Sequence, residues 1–324
     1  MEAKTVRYMI RKHFDRKTIF HYFKDRYAVK LLSYIVYGGM KVSEIRRSAF
    51  GRLLQKPIAR ELLSRTRGNL LCETDCKSLW PAQTEAYVLT LGRWGCDDWS
   101  RGYHQMARAG RNLVLQVNFN KNHDRQYARM LGVHRSVAHK EDLFNGSQHP
   151  VNDNGRLTLA WVRLDIDFHT REALIEEVQS DWIDYATWEF KFLDNDDIWA
   201  REARSTKIGG RDVRVRAYYD YYRKAVRPHV KIWDGCALCA AIWFLREKLD
   251  IRRIYYHTPE TNMHLKQLKN PDAMPPRSIY VDLPRKFCFE RTTRAPLFLQ
   301  ATKKDRYLQH QIGRAELPWY VLEL

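Results

Sequence analysis

The sequence predicts a mixed α/β (α+β) protein, with a layered sheet of mixed strand direction preceded by a helical, basic N-terminal module. Three observations carry this reading. Over the C-terminal two-thirds, short β-branched and aromatic runs alternate with segments of helical periodicity. A hydrophobic share of 44% supports a sizeable core, yet no apolar run approaches the roughly 18 residues that span a bilayer. Charge is uneven: residues 1–70 hold 17 Lys and Arg against 5 Asp and Glu, twelve of the net +18.

The elements follow in chain order. Residues 1–35 read as helix, because Val6, Ile10, Phe14, Ile19, Phe23, Leu31 and Ile35 recur at helical spacing between cations. Gly38-Gly39 stops the run. A second amphipathic helix follows from Val42, interrupted at Pro57 and continued by Ile58, Leu62 and Leu63. Helix, glycine turn and basic helix together permit a helix-turn-helix reading; a helical cap with a solvated basic face is the alternative. Tyr87–Leu91 reads as a strand, and Gly92–Trp99 as a loop rich in Gly, Trp and Asp. Asn112–Phe119 is a strand, His123–Met130 a helix, and Gly146–Gly155 a loop.

Leu157–Phe168 and Ala173–Val178 form a hairpin turning at His169-Thr170-Arg171. Residues 183–229 read as an insertion, basic in its second half, where Tyr218, Tyr219, Tyr221 and Tyr222 interleave with Arg and Lys. Aromatics among cations suit base stacking beside phosphate contacts; tyrosines packing a helix are the competing reading. Val230–Leu249 is the strongest helix, apolar nearly all round, so it belongs against the sheet. Ile251–Thr258 is a strand, Pro259 opens a helix through Leu268, and Arg277–Val281 and Lys286–Phe289 read as final strands. The tail Leu317–Leu324 reads as a last strand or a docked end. The expected organisation is a module over 1–70 and a mixed α/β domain over 71–324.

The six cysteines set no disulfide framework. Cys236 and Cys239 form C-x-x-C inside a helical pattern, where small buried thiols are common. Cys72 and Cys76 lack a second ligand pair, so no metal site is expected. The basic N-terminus has no continuous apolar stretch and no small-residue cleavage site. A cytoplasmic protein without membrane contact is therefore expected.

The densest chemistry lies in Leu174-Ile175-Glu176-Glu177-Val178-Gln179-Ser180-Asp181-Trp182. A strand that begins apolar and ends in hydrogen-bonding side chains delivers a site. Alternation puts Glu177, Gln179 and Asp181 on one face. Glu177, desolvated beside Trp182, is the candidate general base, with Gln179 and Asp181 as substrate ligands. The alternative is a set of ion pairs to Arg223, Arg227 or Lys231. His257, at the end of a strand, is a second acid/base candidate.

This nine-residue string resembles a motif, roughly I-E-E-[IV]-Q-S-D-W, of large polyvalent proteins of phages and conjugative elements. In those proteins an upstream strand is similar to Ala160–Asp165, followed downstream by elements like Trp233–Leu249 and Ile251–Thr258. The resemblance covers about residues 157–262 and implies a site without naming a reaction. The order of hairpin, long helix, strand, helix and two strands is similar to the core of GNAT acyltransferases. That likeness implies acetyl-CoA as cofactor. It puts Trp233, Asp234 and Gly235 at the helix start that would meet the pyrophosphate, and Tyr255 or Tyr256 as proton donor. The Gln/Arg-x-x-Gly-x-Gly/Ala loop of that family is missing between strand and helix.

These readings converge on a group-transferase acting on nucleic acid, RNA rather than DNA, or on a nucleic-acid-bound substrate such as a charged tRNA. Arg46, Arg47, Arg52, Arg214, Arg216 and Arg223 are the expected phosphate contacts. The alternatives are a non-enzymatic nucleic-acid-binding or anti-defence protein of a mobile element, and an enzyme handling NAD or ADP-ribose.

Overall fold

The computed structural model describes residues 1–13, 18–66, 69–95, 105–134, 138, 140, 142–146, 149–151, 155–194, 204–266, 274–300 and 317–324. Phe14, residues 96–99 and Leu268 lie outside them.

The strands are β1 (Thr18–Tyr22), β2 (Met40–Lys41), β3 (Leu70–Leu71), β4 (Glu85–Trp94), β5 (Asn112–Asn118) and β6 (Thr158–Asp167). They continue as β7 (Glu172–Gln179), β8 (Ser205–Ile208), β9 (Arg211–Arg214), β10 (Arg253–His257), β11 (Glu290–Thr292) and β12 (Trp319–Glu323). Eight of them build one mixed sheet in the order β1-β4-β5-β6-β7-β10-β12-β11. Neighbours run antiparallel except β7 and β10, which are parallel. Returning from β7 to lie parallel in β10 requires a crossover. The helical segment after Gln179 supplies it, including Asp181–Asp194 and the apolar Trp233–Trp243. The mixed α/β class is therefore as the sequence predicts, and hairpin, crossover helices, β10 and the following helix come in the expected order.

Four expectations need correction. Residues 1–35 are not one helix: helices Ala3–Lys12 and Arg26–Ile35 flank β1, which pairs with β4. Thr18-Ile19-Phe20-His21-Tyr22 alternates exposed and buried, and β4 offers it an open edge, so pairing wins over helical spacing. Pro57 does not interrupt a helix; it opens Pro57–Arg65, where its missing N–H costs nothing. β4 extends through Trp94, into the segment read as loop. Residues 277–281 and 286–289 are not strands. Ser278–Asp282 is a π-helical turn leading into the helix Leu283–Lys286, and Pro284 has no N–H to give a ladder.

The main core fills the space between sheet and helices. Val6, Leu32 and Leu62 from the first 70 residues share one buried cluster with Leu115, Val162 and Leu238 of the sheet and its central helix. A smaller cluster around Leu174, Tyr255, Phe298 and Trp319 covers the opposite face. Trp182 fastens the segment that follows β7. Its indole N–H donates to Tyr221 Oη at 2.8 Å, and its ring meets Phe119, Tyr127 and Phe144 edge-on at 5.1 to 5.3 Å. The interleaved tyrosines are buried: the Tyr218 hydroxyl donates to the Ala186 carbonyl, and Tyr221 contacts Trp182 and His123. Packing, rather than base stacking, is their role.

Candidate functional site

A parallel pair that parts company leaves a gap that side chains or ligands must fill. β7 and β10 pair from Glu172↔Arg253 to Ile175↔Tyr256, and β7 then runs on to Gln179 while β10 stops at His257. Beyond that last pair lies a crevice of about 470 Å³. Glu177, Val178, Gln179 and Ser180 line it from β7; Trp233, Asn262, Lys266, Ile279 and Tyr280 close its other sides. It sits at the carboxyl ends of two parallel strands, where open α/β sheets place their ligands. Its volume suits a small ligand or one arm of a cofactor.

A β-bulge assigns the side chains to their faces. Arg163 faces Glu177 and Leu164 faces Ile175, so Glu176 is an extra residue on β7. Strict alternation is broken at the residue pair that carries the charge. Glu177 and Gln179 line the crevice. Glu176 turns into the interior, where its carboxylate accepts from the Ala107 amide at 2.8 Å and from His257 Nε2 at 3.1 Å. Burial alone pushes the Glu176 carboxyl up, but the His257 hydrogen bond and the nearby Lys266 and Arg163 charges overcome it and pull it down to about 2. Burial holds His257 below its ordinary value, so a neutral imidazole donates to an ionised carboxylate.

Glu177 does not reach for the cations of the crossover segment. It is ion-paired with Arg163, whose side chain is fully buried and lies 4.9 Å over the Trp94 ring. Asp181 leaves the crevice wall and clamps a loop, accepting from the Gly146 amide at 3.1 Å, His149 Nδ1 at 2.6 Å and Gln179 Nε2 at 2.5 Å. The Asp181 hydrogen bond raises the His149 pKa. Glu177 and Gln179 thus come together in the crevice, while Asp181 positions Gln179 from behind.

The other expected residues scatter. Tyr255 belongs to the small cluster with Leu174 and Trp319, on the sheet face away from the main core, and His257 is buried behind the wall, so neither lines the crevice. Tyr256 donates its hydroxyl to the Ile279 carbonyl at 3.0 Å. Of the expected cofactor residues, Trp233 lines the crevice. Asp234 lies 3.9 Å from Lys286 Nζ. Gly235 is where the Tyr22 hydroxyl presses on the helix: a Cβ there would lie 2.6 Å from that oxygen. The helix that directly follows β7 is Asp181–Asp194, and its first turn carries Asp181 and Asp184. Carboxylates complement the dipole at the start of this helix, so a pyrophosphate would have to meet the start of Trp233–Trp243 instead.

Three lining residues carry no sequence signal. Tyr280 stands in a segment read as strand, Asn262 in the helix Pro259–Leu265 and Lys266 directly after it. The Tyr280 hydroxyl, beside Asn262, is pushed up by burial and the nearby Glu177 charge. Lys266 is buried, and desolvation lowers its ammonium to about 8.

The predicted phosphate contacts divide. Arg214 and Arg216 line a groove of about 350 Å³ with Arg129 and Lys224, and Asp220 lies 3.6 Å from Arg216 and 3.5 Å from Lys224. Arg223 stacks 5.7 Å over Tyr219. Arg46 and Arg47 are exposed on the helix Val42–Arg47. Arg52 donates to the Arg285 carbonyl at 3.0 Å.

The described cysteines are free thiols, and burial pushes Cys239 up to about 11, so the C-x-x-C pair sits as inert core; Cys96 lies outside the described residues. Among the described residues, no cluster of three His, Cys, Asp or Glu is arranged to hold a metal, and no helix is long and apolar enough to cross a membrane. Comparison with protein-family models, curated proteins and solved structures yields no match to this chain.

Proposed function

We propose that this protein is a group-transferase of GNAT-like architecture whose reaction takes place in the crevice between β7 and β10, on a nucleic acid or a nucleic-acid-bound acceptor. The observation that supports it is the parting of the only parallel strand pair among the described residues over a pocket that holds Glu177, Gln179, Asn262, Lys266 and Tyr280. Group transfer needs a bound donor, a group that takes the acceptor's proton and donors that steady developing charge. Glu177 is the proton acceptor in this reading, Gln179 and Asn262 orient the donor's carbonyl, and Tyr280 protonates the leaving group. Acetyl-CoA is the donor to try first. The groove of Arg129, Arg214, Arg216 and Lys224 suits a phosphate backbone.

The test is release of free thiol from acetyl-CoA with bulk tRNA as acceptor. Thiol release by the wild type that falls about a hundredfold per folded molecule in Glu177→Gln supports the reading. Absence of transfer with tRNA, other RNA and protein acceptors contradicts it.

A second reading is favoured by one contact: Glu177 neutralises the fully buried Arg163. If that pair is architectural, the chain is a nucleic-acid-binding protein, its RNA affinity is unchanged in Glu177→Gln, and no ligand of the crevice alters it.

A further inference from the structure

We propose that Lys266 is a nucleophilic amine of the crevice, placed to capture the carbonyl carbon of an aldehyde or ketone ligand as an imine. This chemistry goes beyond group transfer and does not rest on it.

Lys266 follows the helix Pro259–Leu265, and its side chain forms part of the crevice wall. Only 4% of the residue is exposed. Its Nζ donates to the main-chain carbonyl of Glu176 at 2.8 Å, the residue inserted by the bulge. An ammonium is thus held by an uncharged acceptor instead of a carboxylate. The groups around it are Glu176 and Glu177 on β7, Arg163 on β6, His257 on β10 and Tyr280. Desolvation disfavours its charged form and Arg163 adds to that; the two carboxylates oppose them, and the balance is a pKa near 8. Near neutral pH such an amine is roughly a hundredfold richer in its neutral, nucleophilic form than a surface lysine.

The step balances without any further reactant. The neutral amine's lone pair attacks the carbonyl carbon, a C–N bond forms as the C–O π bond breaks, and a proton passes from the nitrogen to the oxygen to give a carbinolamine. Loss of water leaves the imine. The apolar walls at Trp233, Val178 and Ile279 favour that loss by limiting water. Desolvation is one way lysines are activated for this capture, and here it comes from the burial of the Lys266 side chain.

The experiment uses the full chain, pyridoxal and cyanoborohydride at pH 7, with peptide mass mapping. Pyridoxal carries no phosphate, so the +18 net charge does not steer it. The expected result is a reduced adduct on Lys266 at least about tenfold above that on the exposed Lys24 and Lys121, following its larger neutral fraction. Unfolding the wild type in urea should abolish that preference, and Lys266→Arg should remove the adduct at this position. Even labelling across exposed lysines, or an unmodified Lys266, would overturn the proposal. Thiol release from acetyl-CoA is read separately, so imine capture and group transfer fail independently.

Discussion

At the scale of single residues, the site is a balance of buried charge. Arg163 is fully enclosed and depends on Glu177 and the Trp94 ring. Removing one member of a buried pair strands the other, at a cost of about 3 kcal/mol or more. Arg163→Met should therefore lower stability to urea by about that amount, and the double variant Arg163→Met/Glu177→Leu should recover most of it. Additive losses in the double variant would show that the two do not act as a pair. Lys266 gives a signed pH test. Its folded pKa of about 8 lies below its ordinary 10.5, so the unfolded chain binds the proton more tightly. The cost is fully present below pH 8 and is relieved as pH rises towards 10.5. The stability of wild type relative to Lys266→Met should rise over that window; a flat difference would place the ammonium in water. Glu176 has the same sign of pH dependence at lower pH, as a stabilising charge instead of a cost. Its contribution is present above about 4.5 and lost as pH falls towards 2, so Glu176→Gln should flatten the acid limb of unfolding.

At the scale of elements, the bulge in β7 decides which acid meets the crevice. Period-2 alternation already puts Glu177 and Gln179 on one face, but an inserted residue leaves no mark in composition or spacing. The interior bonding of Glu176 was therefore hidden in the sequence, although the acidic strand itself stood out. The helix at Trp233–Trp243 was legible because apolar residues cover it on every side. The role of Gly235 was not, because it depends on the Tyr22 hydroxyl of a distant strand. Gly235→Ala should cost about 1 to 3 kcal/mol by overpacking, and Tyr22→Phe in that background should recover part of it. An unchanged midpoint for Gly235→Ala would show that the helix start has room for a ligand. The π-helical turn at Ser278–Asp282 escaped prediction because β-branched and aromatic residues favour strands until tertiary packing overrides them.

At the scale of the whole molecule, sheet class, hairpin and crossover order were readable from periodicity. The N-terminal edge strand was not, since its partner β4 lies more than sixty residues downstream. The +18 charge was visible from the start, but its distribution over the surface needed the fold. Arg214 and Arg216 acquire Arg129 and Lys224 as groove neighbours, whereas Arg52 is tied to the Arg285 carbonyl. Binding to single-stranded RNA should weaken steeply with salt, and Arg129→Gln/Arg214→Gln/Lys224→Gln should reduce the salt slope by about 2 to 3. An unchanged slope would move the contact to another face.

If the crevice between β7 and β10 is the ligand site, filling it must abolish ligand stabilisation. Thermal unfolding with acetyl-CoA and with NAD, in the wild type and in a Ser278→Trp variant that fills the crevice, tests this most directly. A ligand at about 100 times its dissociation constant should stabilise the wild type by about 2.7 kcal/mol. The midpoint should rise with acetyl-CoA in the wild type and stay unchanged in Ser278→Trp. An equal rise in both proteins, or no rise in either, would contradict this assignment.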